Sequence, residues 1–167
     1  MIEELKFHEF DTVYSIMEQS FPMEEYRFYE GQKALLEKPA YRIYAAKEEG
    51  KILGFAAVWQ LENVLFLEHL AVDPQHRNRG IGAKLLGFLA EKRCCLEVEL
   101  PETDLARRRI GFYQRNGFFL NYYPYMQPSL GEGRSPVPLQ IMTSGSTITP
   151  EEFARLKELL YTHVYEV

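Results

Sequence analysis

Arg77, Gly80 and Gly82 form the pattern Arg-x-x-Gly-x-Gly within LEHLAVDPQHRNRGIGAKLLGFL, Leu67 to Leu89. An apolar, strand-like run enters this pattern. A helical period at Ile81, Leu85, Leu86 and Leu89 leaves it. The first backbone N–H groups of a helix have no partner inside it, and the helix dipole adds positive potential there. Glycine lacks Cβ, so a ligand can come close to the main chain. Arg77, Arg79 and His76 raise the local positive potential further. A phosphate or pyrophosphate is the guest such a turn suits. The competing reading is a turn whose glycines serve geometry and whose arginines serve solvation. Placement after a strand and before a helix favours the anion.

Two other phosphate loops are excluded by residue type. A Walker A loop ends in Gly-Lys-Ser/Thr, whereas Gly82 is followed by Ala83. A dinucleotide fingerprint needs a third glycine where this chain has Leu85.

The elements that position the turn can be read from periodicity and punctuation. A short strand near Leu5 comes first. Asp11 caps a helix through Ser20, and Pro22 breaks it. A second helix spans 24–38, weakened by Gly31 and ended by Pro39. YRIYAAK and ILGFAAVWQL read as a hairpin around EEGK, and VLFLEHLAV as a third strand. Helix 81–93, strand CCLEVEL, helix 102–116 and strand FFLNYY follow. The segment PYMQPSLGEGRSPVP reads as a loop that could move over a site. LQIM is the last strand. Thr149-Pro150-Glu151-Glu152 is a capping box opening a helix at about 150–163. The strand–helix–strand crossover through Gly80 calls for a locally parallel pair. The fold class expected is α/β, as a single domain over 1–167 with the last helix added to its core.

Composition narrows function. The 167 residues suit one core, and a net charge of −5 argues against a nucleic-acid partner. The N-terminus MIEELKFHEF is acidic where a secretory leader is basic, and no apolar run approaches membrane length. A cytoplasmic protein with no membrane partner is the expectation. Cys94 and Cys95 are sequence neighbours, poorly placed for a disulfide, and no His or Cys cluster has metal-ligand spacing. No metal is expected.

LAVDPQHRNRGIGAKLL resembles the acetyl-coenzyme A motif of the GNAT superfamily of N-acetyltransferases, and RRIGFYQRNGF resembles its second motif. The two stand in the family's order, separated by one helix and one strand. The resemblance implies a GNAT-type mixed, mostly antiparallel sheet with a central splayed parallel strand pair, flanked by helices. It implies acetyl-coenzyme A as cosubstrate. The main chain of Leu70, Ala71 and Val72 would pair with the pantetheine arm, which requires a splay usually made with a bulge. Arg77, Asn78, Arg79, Gly80, Ile81, Gly82 and Ala83 would hold the pyrophosphate. Gly111 and Phe112 would lie near the cofactor's tail. Many members carry Asn where this chain has Ala106, followed by Arg107, Arg108 and Arg109. One of these arginines either reaches a phosphate or, like the others, pairs with Glu102 or Asp104 or faces water.

The resemblance also implies direct acyl transfer to an amine, which needs a base, a donor for the acyl oxygen and a proton for the leaving thiolate. Strand alternation puts Glu68 on one face with Phe66 and Leu70, and His69 on the other. Glu68 is the expected base, with a carboxyl pKa raised by partial burial; the alternative is a strand carboxylate paired with Lys or Arg. His69 is the second candidate. Tyr113 is the expected acid, against a purely packing role. A backbone N–H near Leu70 or Ala71 would face the acyl oxygen. Glu24, Glu25, Tyr26, Tyr29, Glu30, Tyr122, Tyr123 and Tyr125 offer acceptor-site groups suited to a cation. The expected function is acetylation of a small-molecule primary amine. A protein or peptide acetyltransferase and a non-catalytic acyl-coenzyme A sensor are the alternatives. The last helix either covers the core or joins two copies as a homodimer.

Overall fold

A computed structural model describes the whole chain, Met1–Val167. Strands β1 (Ile2–Glu4), β2 (Tyr41–Glu48), β3 (Lys51–Leu61), β4 (Val64–Val72), β5 (Cys94–Glu99), β6 (Phe118–Gln127) and β7 (Val137–Ser144) form one sheet. Its order is β1-β2-β3-β4-β5-β7-β6. Helices α1 (Phe10–Ser20), α2 (Tyr29–Ala34), α3 (Ile81–Leu89), α4 (Asp104–Arg115) and α5 (Pro150–Leu159) flank it. Every pairing is antiparallel except β4 with β5, which α3 connects. The β2–β3 hairpin closes through Glu49 and Gly50, both at positive φ, the backbone of a primed two-residue turn.

The sheet has a core on each face. On one, α1 (Val13, Met17) and α5 (Leu156, Leu159) cover Phe55, Trp59 and Phe66. On the other, α3 (Leu85, Leu89) and α4 (Ile110) cover Val58, Leu67, Leu96 and Met142.

Several bounds differ from the sequence reading, each for a local reason. The second helix shrinks to Tyr29–Ala34 between 3-10 turns at Met23–Glu25 and Leu35–Glu37. The first strand lies earlier, at Ile2–Glu4. Strand β6 runs on past Pro124 to Gln127; a register shift between Asn121 and Tyr125 takes up the residue that cannot donate. After Leu159 the last helix widens into a π turn, Leu160–Val164.

The irregularity that matters most is in β4. Ala57 pairs with His69 and Val58 with Leu67, so Glu68 is an extra residue, a β-bulge. Beyond it the alternation reverses. Phe66 and Ala71 share one core although five positions apart, while Leu65, Leu67, Leu70 and Val72 face the other. Glu68 and His69 therefore both reach the α1 side, and Leu70 does not share their face. β4 and β5 pair only over Leu65–Leu67 with Cys94–Leu96, then part.

Candidate active site

The parting of β4 and β5 opens a cavity of about 480 Å³. Leu70, Ala71 and Val72 line one wall, and Val98 and Glu99 the other. The start of α3 closes one end; Phe21, Glu25 and Gln127 surround the opposite end.

At the α3 end, Asn78 and Gly80 have positive φ, and Gly80 is the N-cap, without a capping side chain. By contrast, Thr103 caps α4 and Thr149 caps α5. The first amides of α3 are thus left for a ligand, as anion binding requires. Asn78, Gly80, Ile81, Gly82, Ala83 and Arg77 all line the cavity. Arg77 also donates from Nε to the Val72 carbonyl at 3.3 Å. Arg79 lies off this wall, bonded to Glu48 and His76. Gly82 has a structural purpose: a Cβ there would meet Phe112 Cζ at 3.1 Å, so its missing side chain seats α4 against α3. Phe112 and Tyr113 line the cavity, whereas Gly111 does not. Of the three arginines on α4, Arg107 pairs with Asp104 and Arg109 with Glu99. Arg108 makes no ion pair and stands on the cavity wall beside Leu105. Unpaired amides, a free strand edge and cationic side chains in one groove fit an extended ligand with a pyrophosphate at one end.

The opposite end holds the titratable groups. Glu68 is the extra residue of the bulge, with a side chain only 2% exposed. Trp59 Nε1 donates to Oε1 at 2.8 Å, and Arg27 Nη1 to Oε2 at 2.9 Å. Burial pushes its pKa up, but Arg27, His69 and Trp59 together hold it below the usual carboxylate value. The raised carboxyl expected from the sequence is therefore corrected. Both oxygens are engaged, and the buried ion pair fixes the bulge to the chain before α2.

His69 is 2% exposed. Its Nε2 lies 2.6 Å from the Glu25 carbonyl, so that nitrogen carries the proton and donates. Nδ1 is then an acceptor, and it has no partner in the protein. Burial lowers the ring's pKa, which keeps it neutral near pH 7.

Glu97 on β5 combines burial with an elevated pKa. Tyr125 donates to Oε2 at 2.5 Å, and Tyr165 lies 2.8 Å from each oxygen. Burial raises its carboxyl to about 8 against the opposing pull of these two hydroxyls. Glu25, on the cavity's rim, is pushed up to about 7 by burial and by Glu99, with Arg109 opposing. The Tyr113 hydroxyl has no hydrogen-bonded partner among the groups that shift it, and burial raises its pKa. It stays protonated across the working range, a hydrogen-bond donor more than a readily ionised acid.

Sequence reasoning missed Arg27, Trp59, Glu97, Tyr165 and Arg134 as contributors. For Glu97 a signal existed: it shares strand parity with Cys95, which is buried in the α1-side core. Alternation with apolar residues was compatible with a solvated glutamate, and only the layer covering that face decides. Tyr165 follows the π turn near the C-terminus and carries no local signature.

A family model described as an acetyltransferase (GNAT) domain matches residues 39–119. YjbC of Bacillus subtilis, described as a candidate acetyltransferase, is 36% identical over 111 residues, covering 63% of this chain and 55% of that protein. The chain thus spans about half the length of that relative. A second Bacillus subtilis protein, described as a candidate ribosomal protein bS18 alanine N-acetyltransferase, is 25% identical over 73% of this chain and 85% of its own length. Among solved structures, a candidate GNAT-family acetyltransferase from Bacteroides thetaiotaomicron superposes with a TM-score of 0.90 at 29% identity, covering 100% of this chain and 99% of that one. The motifs around Gly80 and Tyr113, the bulged and splayed strand pair and these matches agree: residues 39–119 form a GNAT acetyltransferase domain, in a chain whose whole length shares the fold of a GNAT-family protein.

Proposed function

We propose that this chain transfers an acetyl group from acetyl-coenzyme A to a primary amine of a small molecule. One observation carries the reading. The free β4 edge beside an uncapped helix start leads, within one cavity, to a half-buried carboxyl of elevated pKa and an unpaired tyrosine hydroxyl. When bound, acetyl-coenzyme A supplies an acyl carbon activated as a thioester. The amides of Ile81, Gly82 and Ala83, with Arg77, would hold its pyrophosphate, and the main chain of Leu70–Val72 its pantetheine arm.

Glu97 replaces Glu68 as the proton acceptor. A base works best with a pKa near the operating pH, and about 8 meets that need. It takes the proton that an ammonium must lose before its nitrogen has a lone pair. Tyr113 Oη donates a hydrogen bond to the departing sulfur. A backbone N–H of Leu70 or Ala71 would stabilise the charge that develops on the acyl oxygen.

A small acceptor is favoured because the segment after β6 is tied to the turn that carries Glu25, a residue of the cavity wall. Arg134, in the segment 128–136, donates to the Met23 carbonyl at 2.7 Å and lies over the Phe28 ring at 3.9 Å. The peptide reading draws on the ribosomal-protein enzyme named among the relatives. Thermal shift with acetyl-coenzyme A, coenzyme A and ATP, followed by free-thiol release with pooled amines and peptides, tests both. Stabilisation by the coenzyme A pair alone with amine-dependent thiol release supports the proposal. Release only with peptides moves the acceptor to proteins, and binding without release leaves an acyl-coenzyme A sensor.

A further inference from the structure

The turn Met23–Glu25 is held in an unusual way. Its consecutive carbonyls each accept a hydrogen bond from a buried polar side chain distant in sequence. Arg134 Nε reaches Met23 O at 2.7 Å, Gln127 Nε2 reaches Glu24 O at 2.9 Å, and His69 Nε2 reaches Glu25 O at 2.6 Å. These donors are 7%, 3% and 2% exposed. Buried polar groups are costly unless bonded, so three of them committed to one short turn fix its position closely. The turn places Glu25 on the cavity wall.

The side chain that the turn presents to the cavity is not satisfied in the same way. The Glu25 carboxyl has neither an ion-pair nor a hydrogen-bond partner. Arg109, whose field reaches it, is already bonded to Glu99 Oε1 and the Ser20 carbonyl, each at 3.0 Å. His69 lines the same cavity with an unpartnered acceptor at Nδ1. Two acceptors without donors, the Glu25 carboxyl and the water-shielded Nδ1 of His69, belong to residues of one cavity wall and suit a donor-rich cation from outside. Burial, which raises the Glu25 carboxyl, is reversed when such a cation arrives.

We infer that Glu25, with His69 Nδ1, forms a subsite for a second ammonium group of the acceptor, so that the substrate is a diamine-type compound rather than a simple monoamine. The inference rests on the transferase reading above, since it assigns the other nitrogen to acetylation beside Glu97. Arg134 and Gln127 position the turn; Glu25 touches the substrate.

The test uses 1,3-diaminopropane, 1,4-diaminobutane and 1,5-diaminopentane against 1-aminobutane. Thiol release gives kcat/KM for each, and calorimetric titration gives binding to the resting protein. At least one diamine is expected to exceed the monoamine by about tenfold, the effect of one further well-placed ionic contact. Glu25→Gln is expected to bring the ratio near one, chiefly through KM. Equal turnover of diamines and monoamine by the wild-type protein would overturn the subsite and leave the transferase reading standing. Loss of kcat for every amine in Glu25→Gln would also overturn it, making Glu25 a proton acceptor. If no amine is acetylated the transferase reading fails, and titration still decides the subsite. Diamine binding lost in Glu25→Gln sustains it, and no diamine binding refutes it. The wild-type comparison keeps the test intact should the variant fold poorly.

Discussion

Replacing Tyr165 by Phe removes a hydroxyl 2.8 Å from both oxygens of Glu97 and leaves the ring in place. A hydrogen bond to a charged group contributes about 1.5–3 kcal/mol. The neutral carboxyl also interacts with a hydroxyl, so roughly half of that discriminates between the two protonation states. One pKa unit corresponds to about 1.4 kcal/mol, so the Glu97 pKa should rise by about one unit from its value of about 8. Glu97 must be ionised to accept a proton, so activity climbs as pH rises through its pKa. The variant's limb should therefore move in the alkaline direction, with a loss of about tenfold near neutral pH that largely recovers at high pH. The assay is the pH profile of kcat/KM with acceptors whose own pKa values lie well apart, which separates enzyme ionisation from amine ionisation. Glu97→Gln should abolish the limb. An unmoved limb in Tyr165→Phe together with full activity in Glu97→Gln would refute Glu97 as the base and the role given to Tyr165.

Glu68→Gln should act as a stability variant. Breaking a buried pair by removing one partner costs about 3–5 kcal/mol, read as a lower Tm, while turnover per folded molecule survives; a wild-type Tm with lost turnover would return Glu68 to the chemistry. Gly80→Ala places a side chain at φ +77 and should cost about 1–2 kcal/mol, with coenzyme A affinity by titration falling alongside Tm. Burial pushes the Cys94 thiol up to about 12 and holds Cys95 well above its usual value, so iodoacetamide should label neither until denaturant is added, as mass spectrometry can check. Glu25 and Glu97 keep protons when folded that the unfolded chain releases above a pKa near 4.5. Their contribution to stability is full below that value and is lost as pH rises through about 7 and about 8. His69, lowered by burial, works in the opposite sense around and below 6.5. Above that range Tm should fall with rising pH, and Glu97→Gln should flatten the slope.

The strength of local reading differed between the two ends of the cavity for a physical reason. The phosphate end depends on features that are local in sequence: a strand, a left-handed glycine and an uncapped helix start, all within Leu67–Leu89. Such features leave a direct trace in residue type, and the crossover they imply fixes the parallel β4–β5 pair. The catalytic end depends on which face of a strand each residue occupies, and strict alternation supplies that only while the ladder is regular. One extra residue at Glu68 sends it and His69 to the same side and turns Leu70 away. The partners that then decide each group's chemistry, Arg27 for Glu68 and Tyr125 with Tyr165 for Glu97, come from remote segments. The same bulge sits where β4 leaves β5, at the point where main-chain groups become free for a ligand. A strand regular enough for its faces to be read from alternation would have kept its pairing with β5 and had no groove. The residue at which strand parity fails is therefore the residue at which the site begins.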